Sequence, residues 1–268
     1  MELFEIPAFG EACTETHANA LNRVFVMSDV SQETFDSYCA LLKNAEYIKK
    51  EEYTKGTHRF AAFSKDKNGV FLNYFPSLCE LTIVAEENCA YFDFADTSRD
   101  QTLDAQITQL YLEDFGMSYA IRLPDGRFIV IDGGRGFEPD IDRLFNCISD
   151  TSPEEKPIIA AWILTHPHSD HYLAFNFFME RYGEEIELQK VLLNFPDHDD
   201  LAHYPKLSNS DRRFSYSTSA LDNIPRTYSN IRIANAEQFM LHTGQTYRIG
   251  DAVFEVLACM DEIGRAHV

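Results

Sequence analysis

Four side chains able to hold a metal ion fall within seven residues of this chain. The run Thr165-His166-Pro167-His168-Ser169-Asp170-His171 offers three imidazoles and one carboxylate. Nitrogen and oxygen donors at roughly 2.0–2.2 Å suit zinc and similar borderline divalent ions. His166 and His168, two apart on an extended turn, can point the same way and share one ion. Asp170 and His171 fall on the next turn of backbone, placed to serve a second.

Those donors need a scaffold on both sides. Before them, Ile158 to Leu164 is an apolar run short enough for a buried strand, and after them Tyr172, Phe175, Phe178 and Met179 recur at helical spacing. The cluster therefore lies on a strand-to-helix turn. Upstream, Ile107–Leu112 and Met117–Leu123 read as strands, and Pro124-Asp125-Gly126-Arg127 has the chemistry of a hairpin turn. Phe128 to Ile131 is a further buried strand ending on Asp132-Gly133-Gly134, where two glycines permit close backbone approach. Pro139 can open a helix with Ile141, Leu144, Phe145 and Ile148 on its apolar face. Downstream come a strand at Leu188–Phe195, a polar stretch at Pro196–Ser219 and a hairpin of Gln245–Ile249 and Ala252–Leu257 about Gly250-Asp251.

Residues 1–105 read as a small α+β accessory domain without a catalytic motif. Leu21–Met27 suits a strand, and Ser31 can cap a helix that presents Phe35, Tyr38, Leu41, Leu42 and Ala45 on one face. His58–Ser64 and Val70–Phe75 flank a five-residue loop, and Leu81–Ala85 and Ala90–Phe94 can add strands. His17 and His58 are isolated and read as structural or solvated. The polar stretch Asp93–Gln106 makes the boundary, with a second domain expected over 106–261.

Composition narrows the classes. With 45% hydrophobic and 25% charged residues, the 268-residue chain is an ordinary globular one. No apolar run is long enough for a membrane span, and the acidic N-terminus lacks the features of a signal peptide. Six scattered cysteines without a C-x-x-C pair fit free thiols in a cytoplasmic protein. A net charge of −20 disfavours nucleic acid as partner and fits a small-molecule one, with no membrane partner expected.

With THPHSDH between a buried strand and a helix, and strand–hairpin–strand–Asp132-Gly133-Gly134 upstream, residues 107 to about 260 resemble the metallo-β-lactamase-fold hydrolase superfamily. The layout TQLYLEDFGMSYAIRLPDGRFIVIDGG is most similar to hydrolase domains of competence-type DNA-uptake proteins. The resemblance implies an α/β fold, an αββα sandwich with metals in a cleft at one edge of its sheets. It implies a first metal on His166 and His168, and a second on Asp170 and His171. Zinc is expected, two ions in the complete protein, with manganese or iron as alternatives. Asp132 matches an acid that supports the metal loop; the residues alone leave open that it merely caps its own turn. The implied chemistry is hydrolysis of an ester, thioester or phosphodiester by water acidified between the metals, with Asp170 steering the attacking oxygen. No nucleophilic side chain is then required, in keeping with the lack of a G-x-S-x-G elbow.

The superfamily normally supplies a third His, a bridging Asp and a final His from later in the chain. Here His198, His203 and His242 are the downstream candidates before the last seven residues, and none sits in the expected setting; Asp251 and Asp261 do not match the bridging Asp either. The chain therefore reads as incomplete and inactive alone, and its last seven residues, Glu262–Val268, as non-native: they match the translated start of a common sequencing adapter. A diiron oxygen-reductase is disfavoured, because that branch wants Glu in place of His168. A binding or scaffold protein with a vestigial metal site is the alternative from outside the enzymes.

Overall fold

In the computed structural model the described residues are 6–7, 13–18, 22–96, 99–100, 102–195 and 218–259. The tail at 262–268 and the polar residues His198, Asp199, Asp200 and His203 lie outside them. The chain divides into two compact units. One takes in the described residues up to Phe94 with His242–Thr246 and those from Glu255; the other comprises Ala95–Leu241 and Tyr247–Phe254.

The first unit is an antiparallel six-stranded sheet with a helix on one face. Its strands are β1 (Thr14–Ala18), β2 (Asn22–Met27), β3 (Ile48–Lys55), β4 (His58–Lys65), β5 (Asn68–Phe75) and β6 (Glu80–Glu86), in the spatial order β1-β2-β6-β5-β4-β3. Helix α1 (Gln32–Asn44) starts at Ser31, whose hydroxyl accepts from the Glu33 amide at 3.2 Å while Thr34 Oγ1 accepts from the Ser31 amide. Phe35, Tyr38 and Leu42 then line one face and bury against Val70, Leu72, Leu81 and Ile83. Two expectations are corrected here. The β4–β5 loop is two residues, not five, because Asp66 takes the left-handed conformation (φ 54°) and Lys65 pairs with Asn68. Tyr91–Asp93 is a 3-10 turn and not a strand; Tyr91 is held by its hydroxyl on Glu51 (2.8 Å) instead of by a ladder. Strand β3, IKKEEYTK, had no apolar alternation to announce it because it is a largely exposed edge.

The second unit carries the mixed α/β layer of the expected fold class. Its strands are β7 (Gln106–Gln109), β8 (Ser118–Arg122), β9 (Phe128–Asp132), β10 (Ile158–Leu164), β11 (Glu187–Leu188), β12 (Lys190–Leu193) and β13 (Glu237–Met240). The order is β13-β12-β10-β9-β8-β7, with β11 also on β10. Strands β9, β10, β12 and β13 run parallel, while β8 and β7 are antiparallel additions. Helices α2 (Glu138–Ser149), α3 (Ser169–Tyr182) and α4 (Thr218–Ile233) share one core with the sheet. In it Phe128, Val130, Trp162, Leu164, Val191 and Leu193 meet Ile141, Leu144, Phe175, Phe178, Ile224 and Ile231. Central strand β10 is buried along nearly its whole length, which is why it reads as a continuous apolar run. Helix α4 lies beyond the expected elements: Pro225 interrupts its pattern, yet the burial of Ile224 and Ile231 holds it to the core. Strands β14 (Thr246–Ile249) and β15 (Ala252–Glu255) form the expected hairpin.

One buried ionic cluster ties down the turn between β8 and β9. Arg127, 2% exposed, bonds Asp96 at 2.7 and 2.9 Å and Asp125 at 2.8 Å, and Asp96 also accepts from the Gly250 amide. All six cysteines are free thiols. No helix among the described residues is long and apolar enough to cross a membrane.

Candidate metal centre

The four-residue donor cluster sits where β10 ends and α3 begins, at the C-terminal ends of parallel strands. Ligand sites in open α/β sheets gather there because the strand ends diverge into loops free to carry function. Helix α3 starts after His168, whose carbonyl accepts from the amides of His171 (3.0 Å) and Tyr172 (3.3 Å). That local turn brings His171 back beneath His166, with ring centroids 4.0 Å apart.

A neighbouring strand supplies the group that orients the cluster. Asp132 closes β9 in the left-handed conformation (φ 55°), which an aspartate tolerates better than most residues. Its carboxylate is fully buried and accepts three hydrogen bonds. The Thr165 amide donates to Oδ1 at 2.8 Å, and the Thr165 hydroxyl and His171 Nδ1 both donate to Oδ2 at 2.7 Å. Its backbone carbonyl accepts from the indole of Trp162, the sole tryptophan of the chain, at 2.9 Å.

Donor counting sets the imidazole tautomers. His171 gives its Nδ1 proton to Asp132, so its Nε2 carries the lone pair. Thr165 spends its only proton on Asp132, so at 3.0 Å it can only accept from His166 Nδ1, which leaves His166 Nε2 with a lone pair as well. One buried carboxylate thus fixes two rings, one directly and one through a hydroxyl. The titration behaviour follows. Burial, then the nearness of His171 and His168, pushes His166 down to about 4. Burial works against the His171 cation too, but the Asp132 hydrogen bond and charge outweigh it and raise its pKa.

The donors converge in two pairs. His166 Nε2 and His168 Nδ1 lie 2.9 Å apart, and His171 Nε2 lies 3.6 Å from Asp170 Oδ2. Two ligands on one tetrahedral zinc at about 2.0–2.1 Å would be separated by ~3.3 Å, so the pairs bracket the required spacing. Each is two donors, not a closed cage. Among the described residues no group of three or more His, Cys, Asp or Glu side chains is arranged to hold a metal ion. Of the downstream histidines, His242 belongs elsewhere: it is fully buried in the first unit with Nε2 at 3.0 Å from Glu86.

Sequence reasoning did not find Thr165 or Trp162 as parts of the site. Thr165 stands beside the motif, but its bond to a residue 33 positions earlier has no local signal. Gly133 and Gly134 do meet another segment closely: a Cβ on Gly133 would lie 3.0 Å from that of Ala174, and Gly134 exchanges backbone bonds with His171 and Ala174.

The parallel-cored α/β sheet carries its paired candidate donors at the strand ends, an arrangement suited to a metal ion. The sequence comparison makes the assignment specific. The model of the metallo-beta-lactamase superfamily matches residues 112–247, half of the chain, and the chain belongs to that superfamily. Its members are generally hydrolases and typically bind zinc. No curated protein matches the chain.

Proposed function

We propose that this chain provides the zinc-binding centre of a hydrolase that cleaves an ester, thioester or phosphodiester. His166 Nε2 and His168 Nδ1 would hold one ion, and His171 Nε2 with Asp170 a second. Bound there, zinc supplies Lewis acidity toward the scissile group and brings the pKa of a water toward neutrality. Around it each residue has a distinct task. Asp132 fixes the His171 tautomer, Thr165 relays that control to His166, and Asp170 would join His171 in holding the second ion. The observation that carries the reading is this single buried carboxylate, whose hydrogen bonds leave a lone pair on Nε2 of two imidazoles, the form a metal ligand needs. A structural histidine cluster would have no need of matched tautomers.

The strongly acidic surface, net −20, supports a small-molecule substrate over a nucleic acid. The test is zinc content of the purified chain together with turnover of bis(p-nitrophenyl) phosphate, a p-nitrophenyl ester and a thioester. Zinc uptake with hydrolysis of one class supports the proposal. Failure to bind zinc would sink it.

A further inference from the structure

Loop Tyr111–Met117 meets the first turn of α3 at the backbone of Asp170. We infer that Gly116 is a positioning residue for the Asp170–His171 donor pair, because the loop grips the first turn of α3 and only a residue without a side chain lets it close. Gly116 has φ +147°, a conformation side-chain-bearing residues rarely adopt. A Cβ there would lie 2.4 Å from the backbone oxygen of Asp170, the same oxygen that accepts from the Met117 amide at 3.4 Å. Leu112 fills the notch beside it: Cβ atoms on Gly116 and on Gly134 (φ +92°) would meet its Cδ1 at 3.2 and 3.1 Å. On the other side, Gly134 donates to the His171 carbonyl at 3.2 Å and accepts from Ala174 at 3.0 Å. The carbonyls of the two paired ligands are therefore held by two different segments.

The loop is anchored so that it cannot simply retreat. Asp114 bonds Arg135 at 2.8 Å, Glu113 bonds Arg143 at 2.9 Å, and Arg143 also donates to the Tyr111 carbonyl at 2.7 Å. A methyl at position 116 then pushes on Asp170. Real Cβ contacts do not fall below 3.0 Å, so the displacement is at least 3.0 − 2.4 = 0.6 Å. Metal–ligand distances tolerate about ±0.2 Å.

The inference rests on the metal-centre reading, so its test carries a readout independent of metal. The metal-free chain is titrated with zinc against a competing chelator, and the imidazole and amide 15N spectra of the metal-free chain are recorded in parallel. Gly116→Ala is expected to weaken the second zinc about 10–100-fold while the first binds as in wild type. In the metal-free spectra the His171 ring and the Met117 amide should shift and His58 should not. Leu112→Ala, which adds no clash, should produce the same selective loss in smaller degree, and it decides the matter if Gly116→Ala does not fold. Wild-type binding of both ions with unchanged spectra would overturn the inference, as would equal loss of both. A wild-type chain that takes up no zinc defeats the metal reading alone: displaced His171 and Met117 signals in Gly116→Ala would still uphold the clamp, and unmoved signals would overturn it.

Discussion

Asp132→Asn should reverse the tautomers of two histidines without disturbing the backbone. Asparagine accepts the left-handed conformation at least as readily as aspartate, so φ 55° is kept. The introduced amide must still accept from the buried Thr165 N–H, which places its oxygen at the Oδ1 site and its NH2 where Oδ2 was. That NH2 faces Thr165 Oγ1 and His171 Nδ1, and both must now accept. His171 moves its proton to Nε2. Thr165, released from the carboxylate, donates to His166 Nδ1, so His166 also becomes protonated at Nε2. The atoms that face the other donors cease to be donors. Loss of such an orienting partner costs about 10–100-fold in metal affinity, or about 1.4–2.7 kcal/mol. In the metal-free chain, one bond to the carboxylate becomes a bond to a neutral acceptor and the other two become bonds donated by the neutral amide, a weakening of about 1 kcal/mol each. Imidazole 15N spectra read the tautomers, and zinc competition reads the affinity. Wild-type tautomers in the variant would refute the reasoning, and lost affinity with unchanged tautomers would reduce Asp132 to a cap on its own turn.

Three further outcomes are expected. His168→Ala, at an exposed position, should abolish binding at the first zinc pair and leave metal-free stability within about 0.5 kcal/mol by urea unfolding; a large loss of stability would mean His168 is structural. Trp162→Phe removes the indole bond to Asp132 and part of a fully buried side chain, and should cost about 1–3 kcal/mol, read by circular dichroism since it also removes the only tryptophan. Arg127→Met leaves Asp96 and Asp125 buried without their cation and should cost about 3–5 kcal/mol at neutral pH; a loss under 1 kcal/mol would show the cluster to be solvated. Asp96 gives that cluster a pH signature. Burial opposes its charge, but the Arg127 and Gly250 hydrogen bonds outweigh it and hold its pKa below the usual carboxylate range. Its stabilisation is therefore present above about pH 4 and lost as pH falls through the folded value, so Asp96→Asn should flatten the acid limb of the stability curve.

What the sequence determined by itself is local. An apolar run, a donor-rich turn and a helical period in that order placed His166, His168, Asp170 and His171 on one strand-to-helix junction, and the superfamily followed from the same order. Ser31 and Pro139 likewise stand where their helices begin, since capping and a fixed φ act within one turn of backbone. The tertiary structure decided whatever depends on partners far along the chain. Asp132 meets Thr165 and His171 across 33 and 39 residues, Arg127 finds Asp96 across 31, and Gly116 meets Asp170 only because β8 leads its loop to the sheet end. His242 goes to Glu86, 156 residues away, and not to the donors it could have joined. Strand β3 and helix α4 were hidden for a related reason: an edge strand needs no apolar alternation, and a helix with a central proline persists when burial of Ile224 and Ile231 outweighs its propensity. Periodicity records which face of an element is apolar, whereas a hydrogen bond between distant side chains leaves no period at all.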